Sequence, residues 1–129
     1  MPIISENGDL CPFKWDHLEE KTLTPVYKMP VLPANPKVKP RNLIPFNYAR
    51  SEKEPGNKWV CFYIHDYQFE RLWNDPDKYL PILKRFEGCV SPDFSVLLDQ
   101  PRPEQMRNLW RNKALAYWMS NNRIPVAYN

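Results

Sequence analysis

Glycine is nearly missing from this chain, with three among 129 residues. A loop that cradles phosphate with its own backbone needs several, so phosphate-loop and dinucleotide-fold patterns are excluded, and no nucleophile elbow occurs. Histidine is scarcer still: His17 and His65 are the two, and neither lies a helical turn from another histidine, as a metal pair would. The three cysteines, Cys11, Cys61 and Cys89, are odd in number and widely spaced. That argues against a disulfide framework or a structural zinc site and for reduced thiols. No stretch approaches the ~18 uninterrupted apolar residues of a membrane span, and MPIISENGDLCPF has no basic region leading into an apolar core. The expectation is a soluble cytoplasmic protein with no membrane contact.

A dominant charge of one sign is lacking too. Eighteen Lys and Arg against fifteen Asp and Glu leave a net +3, short of the footprint of a dedicated nucleic-acid binder. The basic residues are nonetheless concentrated: Lys28, Lys37, Lys39, Arg41, Arg50, Lys53 and Lys58 face only Glu52 and Glu54, with Phe46 and Tyr48 between them. Lys37, Lys39, Arg41 and Arg50 are therefore the candidate nucleic-acid contacts, although no zinc finger, helix-turn-helix or RNP pattern accompanies them.

Proline and aromatic residues are what the chain has in abundance. Nine of its fifteen prolines precede Trp59, and PVYKMPVLPANPKVKPRNLIPF has no period. Proline fixes φ and lacks an amide donor, so this stretch is read as extended or looped, neither helix nor central strand. Phe13, Trp15, Tyr27, Phe46 and Tyr48 in the same region favour burial. Residues 1–58 are thus expected to be an irregular basic arm packed over a core formed by 59–129, as one domain, with a short helix from Asp16 to Lys21.

From Trp59 the pattern becomes regular. Trp59 to Ile64 is a continuous β-prone run, suited to a strand covered on both faces. Tyr67 to Trp73 gives about two helical turns with Phe69, Leu72 and Trp73 on one side. Asp75 and Pro76 open a second helix, as N-cap and first helical residue, with Leu80, Leu83 and Phe86 buried and Gly88 as its end. Pro81 falls inside it and removes one hydrogen bond. Cys89 to Ser95 is a second strand running into a loop. Pro101 to Glu104 starts a longer helix with a stripe at Met106, Leu109, Trp110, Lys113, Ala114, Tyr117 and Trp118. Asn121 and Asn122 supply the left-handed stop, and residues 124–128 form a third strand. The result is an α/β chain with a β-α-β-α-β parallel unit, either a partial barrel or a small open sheet.

In parallel sheets, ligands bind beyond the carboxyl ends of the strands. Those ends carry His65 and Asp66, then Asp93 and Ser95, then Asn129. Asp66 and Asp93 are the candidate catalytic pair, able to share a divalent metal or to split their pKa values, although no metal set is complete. The plainer alternative makes Asp66 a helix cap and Asp93 a turn residue. His65, Ser95, Asn108, Arg111 and Asn129 are candidate ligand contacts, with Arg111 as a bidentate fork for phosphate or carboxylate. The alternative places Asn108, Arg111 and Asn112 on the solvated face of the helix.

Leu43 to Asn47, Phe62 to Trp73, Val90 to Ser95 and Asn108 to Trp118 together resemble a bacterial and phage family, domain of unknown function 4417. The blocks Phe69-Glu70-Arg71-Leu72-Trp73 and Ser91-Pro92-Asp93-Phe94-Ser95 carry most of that resemblance. It implies a phage or mobile-element setting in a bacterial host cell and no particular activity. It also implies further strands after the third, so that a complete site would need them or a second chain. Three readings follow. The first is a small phage protein acting by binding, as an inhibitor of a host defence or nucleic-acid-processing complex, meeting a partner or itself through edge strand 124–128. The second is a metal-dependent enzyme on nucleotides or nucleic acid, and the third a nucleic-acid accessory protein. Binding is preferred over catalysis because no nucleophile or metal set is complete.

Overall fold

The computed structural model describes residues 23–25, 29–32 and 39–128. The expected helix at Asp16–Lys21 and the positions Phe13, Trp15, Tyr27, Lys37 and Asn129 lie outside them.

The architecture is α/β, built on a four-stranded parallel sheet of order β1-β2-β3-β4: β1 (Leu43–Pro45), β2 (Trp59–Cys61), β3 (Gly88–Val90) and β4 (Val126–Ala127). Sequential order with every pair parallel requires a crossover in each connection. These contain α1 (Phe46–Ala49), then α2 (Glu70–Asn74) with α3 (Pro76–Leu83), then α4 (Arg102–Asn121). The three-strand expectation is thus one strand short. Leu43, Ile44 and Pro45 pair with Trp59, Val60 and Cys61, so the proline-rich arm supplies an edge strand. An edge tolerates the missing donor of Pro45, and the chain turns straight into α1, which the absence of a period had hidden.

All three residues of β2 and of β3 are buried, but the strand expected over Trp59 to Ile64 stops at Cys61, and Tyr63 within that run is exposed. Gly88 begins β3 and does not end α3, which stops at Leu83. A Cβ at Gly88 would stand 2.7 Å from the Pro125 carbonyl oxygen and would run into the Trp59 ring, so close strand packing is what demands glycine here. Pro81 sits inside α3 without breaking it, and Pro76 occupies the first turn, while the Asp75 side chain makes no capping bond. At the end of α4 the left-handed residue is Arg123 (φ 64°), one beyond the expected Asn121–Asn122. Asn122 instead donates its side-chain amide to the Trp118 carbonyl, 2.8 Å away.

The core is strung with rings. Tyr79 meets Phe46 edge-on at 5.5 Å, Phe46 stacks on Phe62 at 5.4 Å, Phe62 meets Phe69 at 5.4 Å, and Phe69 meets Phe94 at 4.5 Å. Burying each Phe contributes roughly 1.5–3 kcal/mol, and the tilted contacts add to that. The string runs from α1 and α3, past the carboxyl end of β2, to the loop after β3. It therefore fixes the floor beneath that end of the sheet.

Candidate functional site

Beyond β2 the chain passes through Phe62, Tyr63, Ile64 and His65 into a 3-10 turn at Asp66–Gln68. Beyond β3 it runs extended through Ser91 to Ser95. Alternation buries Phe94 and exposes Asp93. The two loops are joined by Asp66, whose carboxylate accepts the Ser95 amide N–H and the Ser95 hydroxyl, each at 3.0 Å. Adjacent strands thus bring Asp66 to Ser95. Asp66 does not serve as a cap, and the Ser95 N–H and O–H engage both of its oxygens.

α4 grips the same loop from the other side. The Asn108 amide donates to the Ser95 carbonyl at 2.7 Å, and Asn112 brackets Phe94, accepting its N–H at 2.6 Å and donating to its carbonyl at 3.0 Å. Arg111 donates to the Asn108 side-chain oxygen at 2.7 Å and to Glu70 at 2.6 Å. The network Asp66–Ser95–Asn108–Arg111–Glu70 closes on itself, since its two acids lie four residues apart on one segment.

Arg111 and Asn108 are each only 4% exposed, which corrects the solvated-face alternative for both, while Asn112 is half-buried. The helix stripe is rotated accordingly: Leu109 is exposed, and the buried line runs Asn108, Arg111, Leu115, Trp118 and Met119. Burial pulls the Arg111 pKa below its ordinary value, while Glu70 and Asp66 oppose the shift. The guanidinium carbon lies 3.6 Å from the Phe94 ring centroid, a stacked arrangement that suits a planar cation with little water around it.

Outside this network lies an open hollow of about 520 Å³, bordered by Phe62, Tyr63, Ile64, His65, Gln68, Asp93 and Ser95. His65 is stacked with Tyr67 at 5.9 Å. Burial, with a further push from the Asp93 charge, raises the Tyr63 pKa. Asp93 also borders a smaller cavity of about 170 Å³ that includes Leu32, Val96, Leu109, Lys113 and Tyr128. Among the described residues no three His, Cys, Asp or Glu side chains come together as a metal set. Asp93, exposed and bordering the same hollow as His65, can accept a hydrogen bond from a ligand there.

The rim carries apolar groups outward. Tyr63, Tyr67, Val96, Leu97 and Leu109 are exposed, and Leu98 is 100% exposed. This set was missed in the sequence, where the signal was Val96-Leu97-Leu98 standing without period between Ser95 and the proline that opens α4. Lys39, Arg41 and Arg50 are exposed, as solvated or phosphate-contacting groups must be; Lys37 and Asn129 fall outside the described residues. Cys61 and Cys89 are free, buried thiols whose pKa values burial pushes up. Among the described residues no helix is long and apolar enough to cross a membrane.

Comparison with known proteins places this geometry in a phage setting. The chain is 31% identical over 115 residues to the Gene 1 protein of Mycobacterium phage D29, covering 84% of this chain and 42% of that protein. With the Gene 1 protein of Mycobacterium phage L5 it shares 35% identity over 69 residues, 51% of this chain and 30% of the relative. The chain therefore spans less than half the length of these curated relatives. No solved structure matches it. Residues 22–129 match the family described as domain of unknown function (DUF4417), and the chain belongs to that phage-associated family.

Proposed function

We propose that the chain acts by binding a protein, through the apolar rim at the carboxyl end of its sheet, and that its partner is a host complex engaged in defence or nucleic-acid processing. One observation carries this reading. Asp66, Ser95, Asn108, Arg111 and Glu70 are turned on one another and on the loop backbone, while Val96, Leu97 and Leu98 point outward from the loop they hold. A polar network that braces a loop makes a rigid platform, and an exposed cluster of large apolar side chains on such a platform is the usual mark of a protein contact. Tyr128, just past edge strand β4, borders the same cavity as Val96 and Leu109, so strand addition at β4 would extend that surface. The phage relatives supply the setting for a host partner.

A photo-crosslinking side chain at position 98, with a second at the exposed position 53 as control, tests the reading in infected or expressing cells. The expected result is one product of defined mass from position 98, none from 53, and loss of that product on Leu97→Asp. Equal products from both positions overturn it. Turnover of a nucleotide or nucleic acid in Mg²⁺ or Mn²⁺, abolished by Asp93→Ala, would transfer the site to the enzyme reading. Salt-sensitive retention on DNA or RNA, lost when Lys37, Lys39 and Arg41 are neutralised, would favour the accessory reading.

A further inference from the structure

We infer that the cavity beyond the carboxyl ends of β3 and β4 receives a phenol ring, the tyrosine side chain of the protein partner. This rests on the protein-binding reading and names what that partner inserts. The cavity has a volume of about 170 Å³. A dry cavity of ~150 Å³ takes up benzene, so the space is that of one aromatic ring.

Four separate segments wall it. Leu32 comes from the arm, Val96 from the loop after β3, Leu109 from α4, and Tyr128 from just past β4. Leu32 and Tyr128 are half-buried, whereas Val96 and Leu109 are 47% and 38% exposed. Val96 belongs to the outward Val96-Leu97-Leu98 rim as well, so rim and cavity form one continuous surface, and a chain that covers the first reaches the second. The Tyr128 hydroxyl lies 3.4 Å from that of Ser120 on α4, which leaves the ring of Tyr128 as an aromatic wall for an incoming ring.

The polar part of the lining selects among rings. Asn112 is committed to both backbone groups of Phe94, and Ser91 is only 8% exposed. Asp93 and Lys113 remain, the first exposed and the second half-buried. Among the described residues no ion pair joins them, and neither has another hydrogen-bond partner. A carboxylate only accepts and an ammonium only donates, so one group that does both satisfies the two together. A phenol hydroxyl is such a group, whereas an indole N–H only donates and a phenyl ring does neither. Tyrosine is also among the residues that most often anchor a protein contact from within a pocket.

Titration of the purified chain with p-cresol, followed through its backbone amide resonances, tests this, with toluene and 3-methylindole as separate arms. Saturable shifts are expected at Asp93, Val96, Leu109 and Lys113, with p-cresol bound about fivefold or more tightly than either control. Lys113→Met and Asp93→Ala should each shrink the preference over toluene to about twofold or less. Both replace side chains that reach solvent, and the remaining amide resonances verify that each variant is folded. In expressing cells, Lys113→Met should lower the crosslinked product from position 98. Equal binding of toluene, tighter binding of 3-methylindole, a preference unchanged in both variants, or an undiminished crosslink in Lys113→Met overturns the inference. A position-98 product that forms while p-cresol fails to bind overturns it too, and leaves the protein-binding reading standing. Binding of p-cresol as expected, with no product from position 98, overturns that reading instead.

Discussion

Arg111 and Glu70 form an unequal pair: the cation is almost fully buried on Phe94, while the carboxylate that neutralises it is more than a third exposed. The asymmetry sets the outcome of substitution. Glu70→Ala leaves a desolvated cation with one neutral partner, Asn108, and water reaches the Glu70 side only in part. A loss of about 1–3 kcal/mol is expected, discounted from the 3–5 kcal/mol of a fully buried pair because of that exposure. Arg111→Met removes the charge with its desolvation cost and keeps contact with Phe94, but strands the Asn108 oxygen, so its loss should not exceed that of Glu70→Ala. Urea denaturation of the two single variants and the double variant measures the coupling. Additive losses would mean that the pair contributes nothing jointly.

Asn112 makes a sharper test of the braced loop. It satisfies both backbone groups of Phe94, a residue with no exposed surface. Asn112→Ala removes a donor and an acceptor together, and about 1–3 kcal/mol of stability should go with them. The Phe94 and Ser95 amides should then exchange with solvent much faster than those of β2, as measured by hydrogen exchange. Unchanged protection would mean that Asp66 and Asn108 alone suffice to hold the loop.

These residues also show what could be read beforehand. The order of strands and helices from Trp59 onward follows apolar periodicity and proline position, which act locally and survive in the sequence. β1 does not, because three residues ending in proline carry no period and become a strand only when β2 lies beside them. Asn108 and Arg111 were readable in position but not in burial. Stepping back from Leu115 by four and seven residues reaches both, yet an amide and a guanidinium on a helix usually mean a wet face. Their burial depends on Glu70 and Ser95, which arrive from distant segments. The union of Asp66 with Ser95 likewise depends on strand neighbours, which the sequence order suggests without showing which side chains will meet.

Gly88→Ala should be among the most damaging single changes. The added methyl meets the Pro125 carbonyl and the Trp59 ring between β2, β3 and β4, where backbone cannot retreat without parting the strands. About 3 kcal/mol, the upper end of overpacking costs, is the expected loss. Gly56→Ala is the control, since nothing lies near a Cβ at that position. Equal melting temperatures for the two variants would contradict the close packing at Gly88.

Tyr63 gives the fold a pH dependence at the alkaline end. Partial desolvation of this largely exposed side chain raises its pKa first, and the Asp93 carboxylate raises it further by opposing the phenolate. With a folded value above the unfolded one of about 10, the neutral phenol is favoured in the folded chain. The associated stability is fully present below pH ~10 and is lost as the pH climbs from the unfolded value through the folded one, because the unfolded chain releases its proton first. Asp93→Asn removes the second cause and leaves the first, so the Tyr63 transition should move down without returning to the free value. Ultraviolet difference titration near the phenolate band, with Tyr63→Phe to assign the signal, follows it directly. A transition at the same pH with and without the Asp93 charge would show that Asp93 does not act on Tyr63 across the hollow.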